Sequence, residues 1–138
     1  MNLSKNTKLV LVSLAAASAG TAINSASVDM QGFDGVVFFG SFGKANASNF
    51  ANAAQSDDDT TFTDLAGTKV APGDDDDSFL IDIYRPGKRY VRCEIDRGGA
   101  NTATGDIYAL LYGARNMPVT HGSTIDAETH VSPAEGTA

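Results

Sequence analysis

Alternation of apolar and polar positions is the clearest pattern in the chain. In Arg89 to Asp96, RYVRCEID, the residues Tyr90, Arg92, Glu94 and Asp96 share one face, and Arg89, Val91, Cys93 and Ile95 share the other. That is the pattern of a half-buried strand. Phe79 to Tyr84, FLIDIY, reads as a second strand, and Arg85-Pro-Gly-Lys88 between them reads as a turn, because proline presets φ and glycine accepts a reversed backbone. The expected product is a β-hairpin. Upstream, Ser25 to Met30 and Gly35 to Phe42 are rich in β-branched and aromatic residues, and Gln31 to Gly35 carries the Gly and Asp of a turn, which predicts a hairpin or a sheet corner. Asp106 to Arg115 supplies the last core strand. Ala45 to Gln55, rich in alanine, is expected to hold a helical turn or a mobile loop, and Val70 to Ser78 is expected to be a loop.

These elements predict five or six short strands and no sustained helix of period 3.6. The expected fold class is all-β and mainly antiparallel, a compact β-sandwich or barrel with extended N- and C-terminal arms. The boundaries follow the pattern: an N-terminal arm and linker over residues 1–24, a β-rich core domain over 25–117, and an extended tail over 118–138, where apolar periodicity is lost.

Two readings compete for the N-terminal stretch. Lys5 and Lys8, then Leu9 to Ala17, then small residues such as Ala-Gly-Thr-Ala meet the three requirements of a secretory signal peptide. The same residues suit a retained apolar arm, with Leu9 and Leu11 burying against a neighbour. The run is too short and too interrupted for a helical membrane span, which needs roughly 20 apolar residues. A single cysteine, Cys93, cannot close an internal disulfide, and this favours the retained arm over a secreted chain.

With 138 residues, of which 42% are hydrophobic and 20% charged, the chain has enough apolar material for one domain with a core. Its net charge of −7 opposes binding to nucleic acid, whose affinity comes from neutralising phosphates. The charge is unevenly placed. Acids gather at Asp57 to Asp59 and Asp74 to Asp77, while Arg85, Lys88, Arg89, Arg92 and Arg97 fall close together. Such a layout suits charge-complementary contact between protein surfaces.

No catalytic constellation emerges. Gly40-Ser-Phe-Gly-Lys44 lacks the first glycine of a phosphate loop, which would fall at Phe38, and Ala45 replaces its magnesium-binding hydroxyl. Asp74 to Asp77 lacks the spacing, mid-loop glycine and distal glutamate of an EF-hand, so a solvated acidic loop is expected rather than a calcium site. The two histidines, His121 and His130, lie in the tail, and Cys93 alternates into an apolar face where thiols are inert filler. No enzyme, cofactor or metal is expected, although paired aspartates leave an acid-dependent hydrolase as an alternative. The basic segment Arg85 to Arg97 is the pointed feature, either as a solvated hairpin with Arg92 paired to a neighbouring acid or as an interface patch, since Arg and Tyr are favoured at hot spots. The candidate protein-interface residues are Leu9, Leu11, Arg85, Lys88, Arg89, Arg92 and Arg115.

Three phrases, Val28 to Phe38 (VDMQGFDGVVF), Arg85 to Arg92 (RPGKRYVR) and Tyr112 to Val119 (YGARNMPV), resemble a family of small virion proteins, the capsid decoration or cement proteins of tailed bacteriophages. The resemblance spans roughly residues 20 to 119. It implies a head-stabilising structural protein on the capsid outer surface that binds the major capsid protein, as a homo-oligomer with a trimer favoured, and touches neither nucleic acid nor membrane. It also implies arms that clasp neighbours. A phage head–tail connector or tail component, and a secreted or periplasmic β-rich binding protein with a cleaved leader, remain the alternatives.

Overall fold

The computed structural model describes residues 2–137. After one turn of 3-10 helix at Leu3–Lys5, the strands in chain order are β1 (Lys8–Ser13), β2 (Ala16–Ala19), β3 (Ile23–Asn24), β4 (Val28–Asp29), β5 (Gly35–Ser41), β6 (Phe50–Ser56), β7 (Thr63–Asp64), β8 (Ser78–Tyr84), β9 (Tyr90–Asp96), β10 (Thr102–Thr104) and β11 (Ile107–Tyr112). The first sheet runs β1-β11-β5-β8. The second runs β3-β9-β6-β7, with β4 also paired to β9, and β10 with β2 forms a small third sheet. Every pairing is antiparallel. The fold is therefore the expected all-β class.

Alternation explains how the two large sheets share one core. Val36 and Phe38 of β5, Phe79 and Ile81 of β8, and Ile107, Ala109 and Leu111 of β11 point inward from the first sheet. Val91, Cys93 and Ile95 of β9 meet them from the second. Ala51 and Ala53 of β6 are fully buried beside them. Small side chains there leave room for Phe38 and Phe79 opposite, in keeping with the dense packing of protein interiors. Burial pushes the Cys93 thiol up to about 12, with the Glu94 carboxylate adding a smaller push in the same direction.

Three expectations are corrected. The alanine-rich stretch taken for a helical turn or loop is strand β6, paired along its whole length with β9. Alanine favours helix locally, but here it sits where a larger side chain has no space. The Phe79 to Asp96 hairpin does not form, because β8 pairs with β5 in the first sheet and β9 with β6 in the second. The Arg85–Lys88 turn instead carries the chain from one sheet to the other. Finally, residues 8–24 are not an arm outside the core. Lys8–Ser13 pairs with β11, Val12 is buried in the core, and β2 and β3 pair with β10 and β9.

Arg97 fixes this N-terminal segment in place. Its side chain is only 4% exposed, yet among the described residues it forms no ion pair. Instead Nε donates to Thr21 O at 2.8 Å, Nη1 donates to Ala17 O and Thr102 O at 2.9 and 2.8 Å, and Nη2 donates to the Thr21 hydroxyl at 3.2 Å. One guanidinium thus ties the β2–β3 segment to β10. Asn49, fully buried, holds the next loop by accepting from Gly99 N and Ala100 N and donating to Ala100 O.

The C-terminal segment is likewise tied down. Val119 N donates to Lys5 O, Gly122 N donates to Leu9 O, and Leu9 N donates to His121 Nδ1. These bonds cover the outer edge of β1 at its start, at Leu9. Because lysine lacks the planar fork that serves three carbonyls at once, Arg97→Lys is expected to cost about 2–3 kcal/mol, read as a lower urea midpoint with an unchanged slope.

Candidate functional site: a basic cleft at one end of the sandwich

Where β5 begins and β8 and β11 end, Gly35 pairs with both Tyr84 and Tyr112. Three connections therefore emerge at the same end of the sandwich: the corner between β4 and β5, the crossing between β8 and β9, and the turn after β11. The first of these is the hub. Asp34 N donates to Tyr112 O, Asp34 O accepts from Arg85 N, Gly32 O accepts from Arg115 N, and Met30 N donates to Arg89 O. Gly113 can follow only as glycine, since φ is +66° and a Cβ there would lie 2.6 Å from the Asp34 Cβ.

These connections surround an open cleft of about 570 Å³ whose walls carry Arg85, Lys88, Arg89 and Arg115, with Phe33 and Pro86 as apolar lining. Four of the seven residues expected at an interface thus meet in one concavity. Their charges are unequally balanced. Arg89 grips Asp29 through two bonds of 2.9 and 2.7 Å, and this grip holds the Asp29 carboxyl below its usual range. Lys88 lies 3.1 Å from Asp57, and Arg115 only 3.8 Å from Asp34. Arg85 stacks over Tyr84 with 5.1 Å to the ring centre, and among the described residues it pairs with no carboxylate. Arg85 also has φ +51°, an uncommon backbone conformation for a residue with a side chain.

The remaining three expected residues lie elsewhere. Arg92 is on the outer face of the second sheet, bonded to Glu94 Oε1 at 2.8 and 2.5 Å and stacked 4.0 Å from the Phe62 ring centre. Leu9 and Leu11 point outward from β1 on the first sheet. They belong to an apolar outer face that sequence reasoning missed, continued by Phe39, Tyr108 and Leu80, with Phe39 and Tyr108 stacked at 5.7 Å. Ile125 of the C-terminal segment lines a smaller cleft with Leu9, Phe39 and Tyr108. The signal was present in the unbroken apolar runs of β1, β5 and β11, which mark a sheet covered on both faces. The cleft's hub residues, Phe33 and Asp34, were read only as turn formers.

The acidic runs are organised by their own loops. Asp58 accepts from Thr61 N, from the Ser56 hydroxyl and from Thr60 N, and these bonds lower its carboxyl to about 2. Asp75 accepts from Lys44 Nζ and Ala45 N. Among the described residues, no three His, Cys, Asp or Glu side chains gather in a metal-binding arrangement.

No protein-family model matches the chain, and no curated protein matches it. The capsid-decoration family suggested by three phrases is therefore not established. Among solved structures, the chain is similar to the one described as the crystal structure of PBSX exported protein XepA, with a TM-score of 0.55 and 19% identity. The similarity covers 96% of this chain and 45% of that one, so this chain spans under half the length of its neighbour. At that identity the likeness is one of fold.

The Asp58 bonds have a pH consequence. A carboxyl lowered on folding stabilises the fold above its unfolded pKa of roughly 4, and that contribution fades as pH falls from about 4 towards 2. Asp58→Asn is expected to lower the thermal midpoint at neutral pH and to flatten its decline across that acid window, as followed by circular dichroism.

Proposed function

We propose that this chain is a virion structural protein that docks on a capsid as a decoration or cement protein. The observation that carries this reading is the basic cleft. On an acidic domain with a net charge of −7, four cations are gathered at the junction of three connections, Lys88, Arg89 and Arg115 beside the carboxylates of Asp57, Asp29 and Asp34 and Arg85 beside none among the described residues. Such a patch suits an acidic protein surface, and charge complementarity would steer and orient the encounter. The cleft is open rather than enclosed, and its lining offers neither a nucleophile beside a base nor a carboxylate pair set apart by its surroundings. The fold likeness to a protein of PBSX, a phage, agrees with a phage setting.

In this reading the partner is the major capsid protein, the location is the capsid outer surface, and bound copies stabilise the assembled shell by mass action. The apolar outer face of the first sheet gives the docked protein further area to bury. The clasping arms are no longer needed, since both terminal segments are hydrogen-bonded within the domain.

The neighbour's description as exported favours one other reading, an exported β-rich binding protein. Cleavage near residues 22–26 would remove β1 and β2, and with them Val12 from the core and two of the carbonyls held by Arg97. The intact mass of the native protein separates the readings, because an N-terminus at residues 22–26 supports export by cleavage.

Purified native particles test the capsid role. On the order of hundreds of copies per particle are expected for a decoration protein, against a ring of about six or twelve for a connector. The paired variant Lys88→Glu and Arg115→Glu is expected to keep its circular dichroism melt and to lower occupancy about tenfold. Undiminished occupancy would overturn docking through the cleft.

A further inference from the structure

The edges of the sheets are treated very unequally. Outside β8, the free strands of the smaller sheets and the flanks of the second sheet are short: β2 has four residues, β10 three, and β3, β4 and β7 two each. The long edge strand β1 has a register irregularity near its end and is covered at its start, at Leu9, by the C-terminal segment. Short, bulged or covered edges are the usual defences against unwanted pairing.

β8 has none of these defences. It is seven residues long, pairs with β5 without a register shift, and terminates the first sheet. Among the described residues, no backbone hydrogen bond joins residues 78–84 to any segment besides β5. Its outward side chains are Leu80, Asp82 and Tyr84, and Leu80 and Tyr84 are 62% and 60% exposed. No lysine or proline interrupts it. An uncovered edge of this kind, with Leu80 and Tyr84 exposed on either side of Asp82, is a template for another strand.

The charges at its two ends select which strand. Asp74 to Asp77 precede β8, and Arg85 to Arg89 follow it. We propose that β8 pairs antiparallel with β8 of a second copy, joining two four-stranded sheets into one continuous sheet of eight about a two-fold axis at Ile81. With the strands fully overlapped, Ser78 faces the partner's Tyr84 and Leu80 faces the partner's Asp82. Each Leu80 then lies diagonal to the partner's Leu80 and the partner's Tyr84, within reach of apolar contact. Just beyond the ladder, Asp77 faces the partner's Arg85, and the symmetry makes the contact twice. Arg85, left without a carboxylate in the single chain, thereby acquires one.

Other registers lose this match. A slip of two residues one way sets Asp82 against the partner's Asp82. A slip the other way carries Arg85 from Asp77, which accepts from Asp74 N and among the described residues pairs with no cation, to Asp75, which is already paired with Lys44. Parallel pairing would bring acidic end to acidic end and basic end to basic end. The two-fold dimer differs from the trimer that the family resemblance implied, and it stands whether or not the chain binds a capsid.

Sedimentation equilibrium of the full chain across a concentration series tests the proposal. A reversible monomer–dimer equilibrium is expected, weakened by added salt. Leu80→Lys and Arg85→Asn are each expected to weaken it about tenfold or more, while the melting curves of both variants stay close to the parent. Asparagine tolerates the positive φ at residue 85, so a weakened dimer in that variant cannot be traced to backbone strain. The charge swap that combines Arg85→Glu with Asp77→Lys should restore association that Arg85→Glu alone removes. In the double variant Leu80→Cys and Asp82→Cys, mild oxidation should give a covalent dimer, with Cys93 silent because it is buried. A chain that stays monomeric at every concentration, a trimer, or a dimer indifferent to Leu80→Lys would overturn the proposal.

Discussion

The backbone of Asp34 holds three strand ends together. Its N–H donates to Tyr112 O at the end of β11, and its carbonyl accepts from Arg85 N at the end of β8, while β5 starts one residue later. Backbone groups at a sheet corner must find partners once water is excluded, and here they find them in each other. That obligation fixes where the two crossings between sheets lie. It also brings Arg85, Arg89 and Arg115 within one cleft, although Arg115 is far from the others in sequence.

A second constraint acts at the opposite end of the same strands. Arg97 is buried among carbonyls of residues 17, 21 and 102, so the β2–β3 segment is tied to β10. A guanidinium can take this role because its donors are planar and point in several directions. Between the two ends, β8 spans from an acidic loop to a basic crossing. The strand that lies at the edge of the sheet is also the one along which the charge reverses, so edge and charge pattern act on the same surface.

Much of the fold was legible in local pattern. The strands at Gly35–Ser41, Ser78–Tyr84, Tyr90–Asp96 and Ile107–Tyr112 follow from β-branched and aromatic residues between turn signals, and the inward set Val91, Cys93 and Ile95 follows from strict alternation. Strand β6 was hidden because alanine's local preference runs against its use as a small filler between β9 and β7. The charged half of the site was legible as a cluster of cations. Its concave shape was not, because the hub residues Met30 to Asp34 reach it through backbone bonds rather than through side chains with distinctive chemistry.

The sequence by itself determined the all-β class, the inward and outward faces of the long strands, and the separation of acidic from basic segments. Only the tertiary structure decided which strands are partners. Alternation looks the same whether Arg85–Lys88 closes a hairpin or crosses to the other sheet, since both leave Val91, Cys93 and Ile95 facing the core. The apolar run Leu9 to Leu14 likewise suits a leader, an arm or an edge strand, because each asks only for apolar side chains. In the fold the run lies along the edge of β11, where Leu9 and Leu11 face outward and Val12 closes the core.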